Sequence, residues 1–291
     1  MKVIYHLGVH CTDEQKLVTS LRANAAVLAQ QGTVIPDPQV YRPILREVST
    51  AMKGAPSSAD TEETTLDAVM VEDHADRLIF SNENFLGVRT RAIFKGEFYP
   101  TAVEKIGALI NLFPSCEAEI ALAIRNPATF IPALLQANRK QTYDEFSVGL
   151  DPMKLDWAAF IGAIRAAYPS LPITVWCDED TPLVWPEVLQ ALTGHDDMIE
   201  LDSRDEILGS IMSPEGLARM SDYIASHQPL TVAQRRRVVT AFLDKYAIDD
   251  QMEVELDLPG WDEEYIDELT EQYDESVYAI SRMPGVRLIA P

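Results

Sequence analysis

Within ten residues, His6-Leu7-Gly8-Val9-His10-Cys11-Thr12-Asp13-Glu14-Gln15 gathers two imidazoles, a thiol, a hydroxyl and two carboxylates. An apolar run precedes them and an amphipathic stretch follows, so they stand where a strand would pass into a helix. Such a turn offers free backbone N–H groups to an anion. His6, His10, Cys11 and Asp13 are all metal-ligand types, but crowding along one turn is not a ligand spacing, and no metal site is read from them. Asp13 and Glu14 also suit a helix N-terminus simply by opposing its positive end. Further along, Ser81 and Glu83 end an apolar run, Arg125 ends another, and Asp178-Glu179-Asp180 ends a third. Glu83 is a candidate general base, with a surface or capping role as the competing reading, and His10 is the second candidate catalytic group. Arg125 is a candidate anion contact, with a structural ion pair as its competitor.

The elements that must hold these residues alternate between strand and helix. Val3 to Leu7, Arg77 to Ser81, Ala118 to Ile124 and Ile173 to Cys177 read as buried strands, and Val286 to Ala290 as a closing one. Thr12 and Gln15 have capping-box spacing, which predicts a helix from there to Gly32. Helices are also predicted after Gly54–Asp60, through Val103–Ile110, from Pro127 to about Ala137, from Trp157 to Tyr168, and from a proline start to Gly194. Arg139 to Lys154 reads as an irregular connection. The last third reads as mostly helical: Pro214–His227, Thr231–Tyr246 and Trp261–Arg282, with Arg235-Arg236-Arg237 on a solvated face. Alternation of this kind implies an α/β fold with a parallel sheet flanked by helices, and no composition break divides residues 1–291 into two domains.

The His6–Leu17 segment resembles the opening of bacterial sulfotransferases, roughly H-x-G-x-H-K-T-G-T-T-x-L, without a gap. Gly32 followed by Val34-Ile35-Pro36 is similar too, as are Phe80-Ser81-Asn82-Glu83, Ile124-Arg125-Asn126-Pro127 and Met283-Pro284-Gly285-Val286. The resemblance implies a P-loop-like sulfotransferase fold and 3′-phosphoadenosine 5′-phosphosulfate as donor. It also implies donor contacts at Thr12, Ser81 and Arg125, the last to the 3′-phosphate. Yet the family's lysine is Cys11 here, its glycine is Asp13, its two hydroxyl residues are Glu14 and Gln15, and its later serine is Ala133. A phosphate cradle needs a cation and a close backbone approach. At ~4 Å and an effective dielectric near ~20, each carboxylate would oppose a bound anion by about 4 kcal/mol. Two would offset most of the ~8 kcal/mol of a micromolar ligand. The expectation is therefore a sulfotransferase-like protein that has lost donor binding, needs no cofactor and acts as a binding or regulatory protein. The alternative is an active sulfotransferase, or a transferase using another donor, that moves a sulfuryl group to a small hydroxyl or amine acceptor.

Composition narrows the partners. With 24 Lys and Arg against 46 Asp and Glu the formal charge is −22, which repels nucleic-acid phosphates and anionic lipid. Thirteen of the carboxylates, and no Lys or Arg, fall between Asp249 and Glu275, a solvated face or a docking surface for a basic partner. No run is long enough for a membrane span or a signal peptide, so a cytoplasmic protein is expected. Cys11, Cys116 and Cys177 form neither a disulfide framework nor paired zinc ligands and are read as thiols in a reducing compartment. A small-molecule acceptor or a protein partner remains open, as does the oligomeric state.

Overall fold

The computed structural model describes residues 1–138, 142–196, 199, 201–202, 205–227, 231–248 and 258–291. Its centre is a six-stranded sheet in the order β2-β3-β1-β6-β7-β8, formed by β1 (Lys2–His6), β2 (Thr33–Val34), β3 (Arg77–Ser81), β6 (Glu117–Ile124), β7 (Ile173–Cys177) and β8 (Val286–Ile289). Every pairing is parallel. Strand β1 lies between β3 and β6, with His6 opposite Ser81 on one side and Ala121 on the other. A second, antiparallel hairpin joins β4 (Ile93–Phe94) to β5 (Glu97–Phe98). Its two turn residues, Lys95 and Gly96, have φ of 55° and 77°, the left-handed pair that a tight hairpin turn of this twist requires.

Parallel strands buried on both faces read as unbroken apolar runs, because alternate side chains feed two different layers. Val3, Tyr5 and Leu7 face one layer with α3 (Pro38–Met52), α5 (Ala102–Ile110), α6 (Pro127–Ala137), α8 (Trp157–Ala167) and α13 (Glu263–Ser281). Ile4, Ile79 and Trp176 face the other, against α1 (Lys16–Ala23), α2 (Ala25–Ala29) and α9 (Thr181–Thr193). Helices α10 (Glu206–Ile211), α11 (Pro214–Ser226) and α12 (Val232–Tyr246) add a small core of their own around Met220 and Val239. The remaining α-helices among the described residues are α4 (Ala59–Val69) and α7 (Tyr143–Phe146).

Several expectations are corrected. The first helix starts at Lys16, not Thr12, and breaks at Asn24, whose side-chain amide is taken by Ser20 and Asp202 carbonyls at 2.8 and 3.0 Å. Between Arg139 and Lys154 the described part holds α7 and a 3-10 turn at Pro152–Lys154. Two of the three arginines expected on a solvated face are paired: Arg235 with Asp205, and Arg236 with Glu187 at 2.9 Å. Residues 249–257 of the acidic stretch lie outside the described residues, and its remainder runs along α13. No helix among the described residues is long and apolar enough to cross a membrane.

Candidate functional site

Strand order fixes where a site can form. The chain passes to β2 and β3 on one side of β1 and to β6, β7 and β8 on the other, so the carboxyl ends of β1 and β6 flank a crevice at the switch point. The turn after β1 closes over it. The Leu7 amide donates to the Ala121 carbonyl at 2.9 Å, and Gly8 carries φ of 82° with its Cα against Glu83, where a Cβ would lie 2.8 Å from the Glu83 Cα. Beyond it, Cys11, Glu14 and Gln15 adopt φ of 57°, 48° and 69°. Three left-handed non-glycine residues in five positions make this turn conformationally unusual.

The turn supplies acceptors to the start of the helix. Thr12 does not cap the helix: its hydroxyl donates to the Val9 carbonyl at 2.7 Å. Asp13, buried, instead accepts the Leu17 amide on Oδ2 at 3.0 Å, while its carbonyl accepts the Lys16 amide at 2.8 Å. Glu14 is exposed and stands 3.8 Å from Lys16. Two helix-start amides are thereby met within the turn, Leu17 by the Asp13 carboxylate and Lys16 by the Asp13 carbonyl.

Arg125 enters the same crevice from β6. Its Nη1 donates to the Cys11 carbonyl, its Nε donates to the Thr129 hydroxyl at 3.0 Å, and Nη1 lies 3.7 Å from Asp178 Oδ2. Burial pushes the Asp178 carboxyl up to about 7, with Glu179 and Asp13 adding to the effect and Arg125 and Lys16 opposing it. Glu179 ties the layer together by accepting the Asn126 amide at 2.8 Å and the Tyr273 hydroxyl at 3.0 Å. Burial also raises the Cys11 thiol to about 11 against the pull of Arg125 and Arg89, so the thiol stays neutral at physiological pH.

The other sequence-predicted residues line the β3 side. Ser81 is buried, its Oγ 2.8 Å from His6 Nδ1, and its carbonyl accepts the Tyr41 hydroxyl at 2.5 Å and two Arg42 donors. The His6 ring stacks on Trp176 at 5.8 Å, and burial lowers its pKa. His10 is also buried. Its backbone amide and Nδ1 meet the Tyr99 hydroxyl at 3.1 and 2.9 Å, and burial holds its pKa down. Glu83, half-buried beside His10 and Cys11, has no hydrogen-bonding or ion-pair partner among the described residues. The fold thus brings Thr12, Arg125, Glu83 and His10 to one crevice, and commits the Ser81 hydroxyl to His6. Sequence reading assigned no role to Asp178, Tyr99 or Arg42. An acid run directly after a buried strand was the available signal for Asp178, and none marked the other two.

Together these features define a parallel α/β protein with a strand–turn–helix at the switch point of its sheet. No protein-family model matches the chain, and no curated protein matches it. A crystal structure of a sulfotransferase from Alicyclobacillus acidocaldarius aligns with 82% of this chain and 97% of its own length, at 13% identity and a TM-score of 0.37. Likeness at that level is no basis for carrying an activity across.

Proposed function

We propose that the turn from Gly8 to Lys16 is a degenerate phosphate loop, and that the protein works as a binding or regulatory protein without the sulfate donor. The observation that carries this reading is the Asp13 carboxylate on the Leu17 amide, which fills the anion's place at the helix start. Two further contacts support it. Arg125 is turned onto the Cys11 carbonyl, and Asp178 adds an acid where an incoming phosphate would need a cation. The family's lysine and glycine are Cys11 and Asp13 in this chain, and the turn's own cation, Lys16, stands 3.8 Å from Glu14.

The test is calorimetry and thermal melting with 3′-phosphoadenosine 5′-phosphate. A ligand at ~100-fold above its dissociation constant adds about 2.7 kcal/mol and a clear rise in melting temperature. No heat and no shift are expected up to millimolar nucleotide. Saturable binding by the unmodified protein would overturn the reading.

A further inference from the structure

Helices α5 and α8 are pinned together at one end. Gly107 on α5 leaves room for the Tyr168 hydroxyl, which donates to the Val103 carbonyl at 2.9 Å, and a Cβ on Gly107 would sit 2.2 Å from that oxygen. Next to that contact a gap is left between the two helices, lined by Ala102, Val103, Ala159, Phe160, Ala163 and Ile164. The gap is a pocket of about 300 Å³, roofed by the β4–β5 hairpin through Phe98 and Tyr99. That size is at the small end of ligand sites, and its apolar walls with few polar groups fit their usual chemistry.

The polar groups at this pocket have a definite sign. Lys154 is taken by Asp151 at 2.9 Å. Glu97 is exposed and has no partner among the described residues. Asp156 accepts the Ala158 amide and the Ser276 hydroxyl at 2.7 and 2.9 Å, both on Oδ1. Two carboxylates therefore line the pocket beside one engaged lysine, on a chain of formal charge −22. A cation is attracted here both locally and at long range.

The pocket is also connected to the crevice. Tyr99 forms part of its wall, and the hydroxyl of the same residue bonds His10. Tyr99 has φ of 41°, a strained value for an aromatic residue, and its backbone amide donates a hydrogen bond to the Ala92 carbonyl at 2.9 Å.

We infer that this pocket binds a small primary amine with a compact aromatic or branched apolar body, its ammonium set between Glu97 and Asp156. The inference goes beyond the loss of donor binding and does not depend on it, since the pocket and the Gly8–Lys16 turn share no residue. Trp157 supplies a reporter, because its ring stacks at 3.8 Å on Phe98, which lines the pocket.

The experiment uses the full chain, phenethylamine as probe, and 3-phenylpropionate and 2-phenylethanol as anionic and neutral controls. Tryptophan emission and melting temperature are followed at neutral pH. Phenethylamine should bind saturably with a dissociation constant of roughly 10 μM to 1 mM, and at least tenfold more tightly than either control. Glu97→Lys, on the exposed hairpin, should weaken the amine at least tenfold. Ala163→Phe, checked by circular dichroism for folding, should abolish binding by filling the pocket. No saturable response to phenethylamine, equal binding of 3-phenylpropionate, or unchanged amine affinity in Glu97→Lys would each overturn the inference. Nucleotide titration of the same sample reports separately on the proposed loss of donor binding.

Discussion

Arg125, at the carboxyl end of β6, donates through Nη1 to the backbone carbonyl of Cys11, in the turn that follows β1. A guanidinium that reaches across a switch-point crevice is a natural anion contact, and here the chain's own backbone takes it. The bond does two things at once. It holds a turn with three left-handed non-glycine residues, and it engages one of the crevice's partly buried cations.

Asp13 is expected to be a stabilising cap. Removing a side-chain acceptor from a helix start costs about 1 kcal/mol, with a range of roughly 0.5–2. Asp13→Ala should lose that amount in urea denaturation, while Asp13→Asn, which keeps an acceptor oxygen, should lose less than half of it. An unchanged midpoint for Asp13→Ala would show that the Leu17 amide does not depend on this carboxylate.

Asp178 sets a slope with pH. Its folded-state pKa is about 7, above the ordinary carboxylate value, so the folded protein holds a proton that the unfolded chain releases earlier. Stability from this group is fully present below the unfolded value and is lost as pH rises through about 7. The groups facing it are Arg125, Glu179, Asp13 and Lys16. Between pH 5.5 and 8.5 the wild type should therefore lose about 1–2 kcal/mol relative to Asp178→Asn. A flat difference, or one of opposite sign, would show Asp178 to be ionised throughout.

Much of the sheet was legible because apolar runs of β-favouring residues need no tertiary information. Arg77–Ser81 and Ile173–Cys177 were read with their observed ends, and Asn126-Pro127 marked the start of α6 for a local reason, a capping side chain followed by a residue with fixed φ. What failed depends on distant partners. The Thr12–Gln15 spacing suggested a capping box, but Thr12 bonds backward to Val9 once Arg125 fixes Cys11. Helix α3 carries Pro43 in its interior, which hides a continuous helix from a reading that treats proline as punctuation. Hairpin strands of two residues each are too short to show alternation. The Arg125–Asp178 pair becomes visible only once β6 and β7 are placed side by side.

The arginines of α12 should separate by partner. Arg236 meets Glu187 of α9 at 2.9 Å with both side chains only about a fifth exposed, and so anchors the small helical core to the sheet's outer layer. Breaking a partly buried pair leaves one charge desolvated, so Arg236→Ala should cost about 1–3 kcal/mol in denaturant unfolding. Arg237 is exposed, and Arg237→Ala should stay within about 0.5 kcal/mol. Equal losses would mean that α12 is held by its apolar face alone.

Restoring the anion site is the strongest test of the turn. Cys11→Lys, Asp13→Gly, Glu14→Thr and Gln15→Thr together return one cation, remove two anions and free the Leu17 amide. They also dismantle the present turn, because threonine resists φ of 48° and 69° and the Asp13 cap is gone. The unliganded variant should therefore melt below the wild type, and 3′-phosphoadenosine 5′-phosphate should recover part of the loss by ordering the turn around a phosphate. Asp178 would still face the new ligand, so adding Asp178→Asn should tighten binding further. Calorimetry of wild type, quadruple and quintuple variants should show no binding, measurable binding and tighter binding, in that order. A folded quintuple variant with no affinity for the nucleotide would mean that the Gly8–Lys16 turn is not a lapsed phosphate loop.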